Sequence, residues 1–104
     1  MAMIAVRVDD LMLGSKVVEM LRSSGHLIAG PAAPDDEIEL VVCDLEAIDL
    51  DEVGAAEMPA IGFYQHTDVE MKKRAEAAGI DLVIPRSRMA RELPDLVERV
   101  LAGG

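Results

Sequence analysis

Glu39-Leu40-Val41-Val42-Cys43-Asp44 decides the fold: Leu40 to Cys43 is a fully apolar run of strand length, closed by the acid Asp44. Similar runs stand on both sides of it and alternate with stretches of helical period, which is the pattern of a parallel sheet wrapped by helices. Upstream, Ile4 to Val8 is short, rich in β-branched residues and followed by Asp9-Asp10. Leu11 to Ser24 then sets Leu13, Val17, Met20 and Leu21 at helical spacing and stops at Gly25. Leu27-Ile28-Ala29 reads as a brief second strand ended by Gly30-Pro31, and the two prolines between Pro31 and Asp36 limit any second helix to a turn or two. Downstream of Asp44, the acidic segment Leu45 to Glu57 has room for one short helix before Met58-Pro59. Ala60 to Tyr64 reads as strand four, Asp68 to Ala78 as an amphipathic helix stopped by Gly79, Leu82 to Ile84 as strand five, and Arg91 to Leu101 as the last helix. The expected fold is α/β, a single doubly wound five-stranded parallel sheet with shortened second and third helices.

At 104 residues the chain can bury a real core but has no room for a second domain, so residues 1–104 are expected to form one unit. With 51% apolar and 29% charged residues it is neither a disordered chain nor one with a membrane span. No basic segment precedes a long apolar stretch between Met1 and Asp10, so no export or transit signal is visible and the cytoplasm is the expected compartment. The single cysteine, Cys43, cannot close an internal disulfide or build a zinc site, and reads as a small core residue. His26 and His66 have no metal-spaced partners and read as ordinary surface residues.

The net charge of −10 is unevenly spread. Residues 1–58 hold thirteen acids against three bases, 59–104 hold seven against seven, and the ten acids from Asp35 to Glu57 are interrupted by no base. Such a chain repels phosphate, so a protein partner or a cation suits it better than nucleic acid. Arg7, in what should be a central strand, needs water or an acid. A thinly covered sheet face beside the curtailed second helix would let it reach solvent or Asp35-Asp36-Glu37.

Open parallel sheets bind ligands at the carboxyl ends of their strands. Here Asp9 and Asp10 end the first strand and Asp44 ends the third. Converging carboxylates repel one another unless a cation offsets them, and hard oxygen donors suit magnesium or manganese. Such an ion could bridge an aspartate and an incoming phosphoryl group. Each acid also has a plainer use, since Asp10 and Asp44 each precede a helical stretch and can cap it. No glycine-rich loop follows the first strand, which argues against nucleotide or flavin binding. Asp44-Leu45-Glu46 neither closes the first strand nor precedes threonine, which argues against a haloacid-dehalogenase-type phosphatase. No enzymatic activity is expected.

Over nearly its whole length the sequence resembles the receiver domains of bacterial two-component response regulators. Val8-Asp9-Asp10 is similar to the acidic pair closing their first strand, and Glu39 to Asp44 to the strand leading to their phosphorylated aspartate. Pro59 through Ser87, including Ala78-Gly79-Ile80-Asp81, aligns without a gap with their fourth strand, fourth helix and fifth strand. The resemblance implies the flavodoxin-like strand order 2-1-3-4-5, Asp44 as phosphoacceptor, and Mg2+ held by Asp9, Asp10 and Asp44 with the backbone carbonyl of Glu46. It also implies a histidine kinase or an output protein as partner, and homodimers through the fourth helix, fifth strand and fifth helix. That surface holds the one basic concentration, Lys72-Lys73-Arg74 with Arg86, Arg88 and Arg91.

Several positions depart from the family pattern. Tyr64 stands where receivers carry the serine or threonine that senses the phosphoryl group, and Arg86-Ser87 where they carry lysine and proline. Ile48 replaces the proline after the phosphoacceptor and Val83 the aromatic of strand five. Arginine differs from lysine in reach, planarity and hydrogen-bond geometry, so Arg86 could neutralise a phosphoryl oxygen or lock directly onto Asp44. Two readings follow from the resemblance. One is a stand-alone pseudo-receiver acting through protein contacts; the other is a response regulator phosphorylated on Asp44.

Overall fold

The structure, a computed structural model, describes residues 2–30, 33–56, 58–65 and 67–103. Five strands run parallel in one sheet: β1 (Met3–Arg7), β2 (Leu27–Ile28), β3 (Leu40–Asp44), β4 (Ala60–Tyr64) and β5 (Leu82–Pro85), in the order β2-β1-β3-β4-β5. Register pairs Arg7 with Cys43, Asp44 with Phe63 and Tyr64 with Pro85, so the carboxyl ends of β1, β3, β4 and β5 lie along one rim. Among the described residues four α-helices cover the faces: α1 (Leu11–Ser23), α2 (Leu50–Ala55), α3 (Val69–Ala78) and α4 (Arg86–Leu101). Alternation along the strands divides the core in two. Ile4, Leu40, Val42, Ile61 and Phe63 pack with α1 and α4, while Ala5, Val41, Cys43, Ala60 and Tyr64 pack on the side of α2 and α3. No helix of the described residues is long and apolar enough to cross a membrane.

The curtailed helices have local causes. Between β2 and β3 the described residues hold one 3-10 turn, Asp35–Glu37, entered from Pro34 in extended conformation. After β3 the chain makes a second 3-10 turn, Leu45–Ala47, before the six residues of α2. Three aspartates start the helices that follow them. Oδ1 of Asp10 accepts the backbone N–H groups of Met12 and Leu13, Asp49 those of Asp51 and Glu52, and Asp68 that of Met71. Gly79, at φ 93°, ends α3 in the left-handed conformation that favours glycine.

The last helix begins five residues earlier than the sequence pattern suggested, at Arg86 directly after β5. Its buried stripe is Met89, Leu93, Leu96 and Val97, so Met89, one turn before Leu93, carries the helical period upstream of Arg91. Pro94 consequently lies inside the helix, where its missing N–H leaves one backbone bond unmade.

His26 corrects a second expectation. It is buried rather than on the surface, because its ring joins two chain ends: Nδ1 accepts the Ala2 backbone N–H at 3.1 Å and Nε2 lies 3.1 Å from Glu98 Oε1 on α4. An accepting Nδ1 leaves the proton on Nε2, which donates to the carboxylate. His66 and Pro31 lie outside the described residues.

Cys43 is fully buried, as expected of a core residue. Burial pushes its thiol from an ordinary 9.0 up to about 12; the Asp44 charge adds to the rise and Arg7 opposes it. The unfolded chain therefore loses this proton at a lower pH than the native state. The resulting stability is complete below about pH 9 and falls as pH climbs toward 12, by at most about 1.4 kcal/mol per pH unit. Urea melts across this range should show that slope in wild type and its loss in Cys43→Ala. In native protein at pH 8 the thiol should resist a disulfide reagent that titrates it fully in urea.

Candidate functional site

The rim places Asp44 and Arg86 in contact. Asp44 ends β3 and is 8% exposed, while Arg86 is the first residue of α4, one step beyond β5. β4 lies between those strands, so the side chains bridge a gap of roughly 10 Å, two inter-strand spacings. The long guanidinium arm makes this possible: Arg86 Nη2 lies 3.3 Å from Asp44 Oδ2. The other carboxylate oxygen, Oδ1, accepts the Glu46 backbone N–H at 3.1 Å, so Asp44 also caps the turn Leu45–Ala47. Both oxygens are thereby engaged. Arg86 Nε is buried without a hydrogen-bond partner, so this arginine is held by one of its donors rather than by the two-pronged fork that suits a carboxylate.

The remaining candidate residues are less closely joined. Asp9 is exposed. Asp10 is also exposed, and its Oδ1 is occupied in starting α1. Glu46 is exposed and meets Asp44 through its backbone N–H. Tyr64 is buried, 8% exposed, in the core on the α2 and α3 side, and among the described residues no hydrogen bond joins it to Asp44 or Arg86.

Among the described residues no three histidine, cysteine, aspartate or glutamate side chains gather closely enough to hold a metal ion. Asp9, Asp10 and Asp44 therefore do not form a three-carboxylate cluster in this arrangement. The reason is local: Asp10 is used by a helix start and Asp44 by a guanidinium that already supplies a positive charge.

Arg7 reaches solvent, one of the two outcomes expected of it. It emerges from the end of β1 into a cleft beside the 3-10 turn Asp35–Glu37, lined also by Asp35, Asp49 and Glu52, with no ion pair among the described residues. Sequence reasoning named Arg7 and the acids but not the cleft, whose walls come from four separate segments.

A five-stranded parallel sheet in the order 2-1-3-4-5 with helices on both faces defines a doubly wound α/β protein whose strand order reverses between β1 and β3. Within that class the chain has the fold of response regulator receiver domains. A CheY-like receiver domain protein from Methanospirillum hungatei superposes with a TM-score of 0.80 at 18% identity, covering 99% of this chain and 95% of that one. The non-phosphorylated HemR receiver domain from Leptospira biflexa gives 0.78 at 19% identity, covering 97% and 94%. NtrX from Brucella abortus gives 0.83 at 25% identity over 99% of this chain, which spans 27% of that protein. No protein-family model and no curated protein matches the sequence.

Proposed function

We propose that the protein is a divergent receiver-like signalling module, a pseudo-receiver that works through protein contacts rather than through a phosphoryl switch. The observation that carries this reading is the Arg86–Asp44 ion pair, with both oxygens of the would-be phosphoacceptor engaged in the resting state. In a receiver, a cation and a phosphoryl group create a neutralised rim on demand. Here a guanidinium supplies neutralisation permanently, and Tyr64, in the sensing position, is packed into the core. The protein is thus a binding module and not a catalyst, and its working compartment is the cytoplasm. Its partners are proteins: an output protein, and a second copy through α3, β5 and α4, where Lys73, Arg74 and Arg91 are exposed.

One observation favours the second reading, a phosphoacceptor served by Mg2+ and a histidine kinase: Asp44 still ends β3 at the switch point, beside the strand that leads to Asp9 and Asp10. Beryllofluoride with magnesium, followed by amide NMR, separates the two. A pseudo-receiver should leave the amide resonances around Asp44, Tyr64 and Arg86 where they were. Saturable shifts at those three positions would mean that Asp44 accepts a phosphoryl mimic and would overturn the proposal.

A further inference from the structure

The cleft beside Arg7 has a volume of about 320 Å³. Its floor and walls are apolar, formed by Ile38, Val41, Ile48, Val53 and Met58, and its rim carries Asp35, Asp49 and Glu52. It lies on the α2 and α3 side of the sheet, where Val41 and Ile38 belong to the core. A parallel β2-to-β3 crossover ordinarily lays a helix on such a face, but this connection provides one 3-10 turn among its described residues. The sheet is left with a trough of roughly the kind a helix would fill, bordered by three acids and one base.

We infer that this cleft is a docking groove for a basic amphipathic helix of a partner protein, which takes the place of the curtailed second helix. Its apolar stripe would rest on Ile38, Val41, Ile48 and Val53, its flanking lysines or arginines would meet Asp35, Asp49 and Glu52, and one acceptor group would meet Arg7. Charge complementarity selects this occupant: the rim is net negative, and it lies in the stretch from Asp35 to Glu57 that contains ten acids and no base. A second copy of the chain is a poor occupant. Its basic helices already spend their apolar faces inward, Ala75 of α3 and Met89, Leu93, Leu96 and Val97 of α4 being buried.

The inference rests on the reading that the module acts through protein contacts, but not on the state of Asp44. The probe is a synthetic helical Leu/Lys peptide with leucines at i, i+3, i+4 and i+7, compared with a pattern-scrambled peptide of equal charge and with a Leu/Glu version. Methyl NMR should show saturable shifts of Ile38, Val41, Ile48 and Val53 with the patterned basic peptide alone. Asp35→Lys/Glu52→Lys, which alters two exposed rim residues, should weaken its binding about tenfold or more, with a matching loss of salt dependence. Equal binding by the scrambled peptide, shifts centred elsewhere, or no binding would overturn the inference, as would a dimer in sedimentation that excludes the peptide. Beryllofluoride shifts at Asp44 alongside cleft binding would refute the pseudo-receiver reading and leave the groove standing.

Discussion

Gly54→Val should be among the most damaging single substitutions on the surface of this protein, lowering unfolding free energy by about 3 kcal/mol or more. Gly54 lies in α2, where a Cβ would overlap the backbone carbonyl of Ala78 at the end of α3. A carbonyl in a helix cannot swing aside as a side-chain tip can, so one helix must move. Across the junction Gly79 is constrained by its backbone, φ 93°, and not by space, since a Cβ there would make only an ordinary contact with the Gly54 carbonyl oxygen at 3.5 Å. α2 has only six residues, too few to persist without the helix it leans on. Its loss would uncover Val53, Leu50 and the core around Val41. Urea melts should show the fall in stability, with Gly14→Ala as the contrast. A Cβ at Gly14 meets nothing nearer than 3.6 Å, and alanine should be neutral or stabilising there by up to about 1 kcal/mol. Equal midpoints for Gly54→Val and wild type would mean that α2 and α3 do not approach this closely.

That junction marks where sequence reading stops. The sheet was legible because its signals are local: apolar runs such as Leu40 to Cys43, acids that end strands, and Asp68 and Gly79 bracketing a helix. The shortened second and third helices were legible for the same reason, from two prolines and an acidic stretch. Strand order came from the resemblance, not from periodicity. Gly54 gave no signal in the sequence, because its importance depends on where a helix more than twenty residues away ends. His26 was misread on similar grounds: Glu98, which accepts from its ring, is 72 positions distant and leaves no spacing signal. The start of α4 was missed because the buried position of Met89 could be known only once the core was assembled. Of the candidate site, the meeting of Asp44 with Arg86 was raised as one of two alternatives. Asp9, Asp10 and Asp44 form no three-carboxylate cluster among the described residues, and Asp10 and Asp44 each start the turn that follows, a use to which carboxylates at strand ends are equally suited.

Arg86→Ala should lower stability by about 2 kcal/mol, a value set by opposing effects. Breaking one side of a sealed ion pair costs roughly 3–5 kcal/mol, and an exposed one under about 1. This pair falls between: the side chain of Asp44 is 11% exposed and that of Arg86 37%. The charge left behind is the more buried of the two, which pulls the cost upward. Against this, the 3.3 Å contact is longer than a strong charge-assisted bond, and removing Arg86 also removes its unpartnered buried Nε. A double-mutant cycle isolates the pair itself. Asp44→Asn keeps an oxygen for the Glu46 backbone N–H while discarding the charge, so it tests the attraction to Arg86 with the turn intact. Melts of wild type, Arg86→Ala, Asp44→Asn and the double variant should give a coupling of about 1–2 kcal/mol that weakens with added salt only slightly, since Asp44 is shielded from solvent. Arg86→Lys should recover less than half of the loss, because the lysine arm is shorter and reaches less far across β4. In a phosphorylation-driven receiver the same arginine would matter after the phosphoryl group arrives, and Arg86→Ala would hardly alter the resting melt. A coupling near zero would therefore remove the observation on which the pseudo-receiver reading rests, whereas a coupling of the expected size makes the ion pair a permanent part of the folded rim.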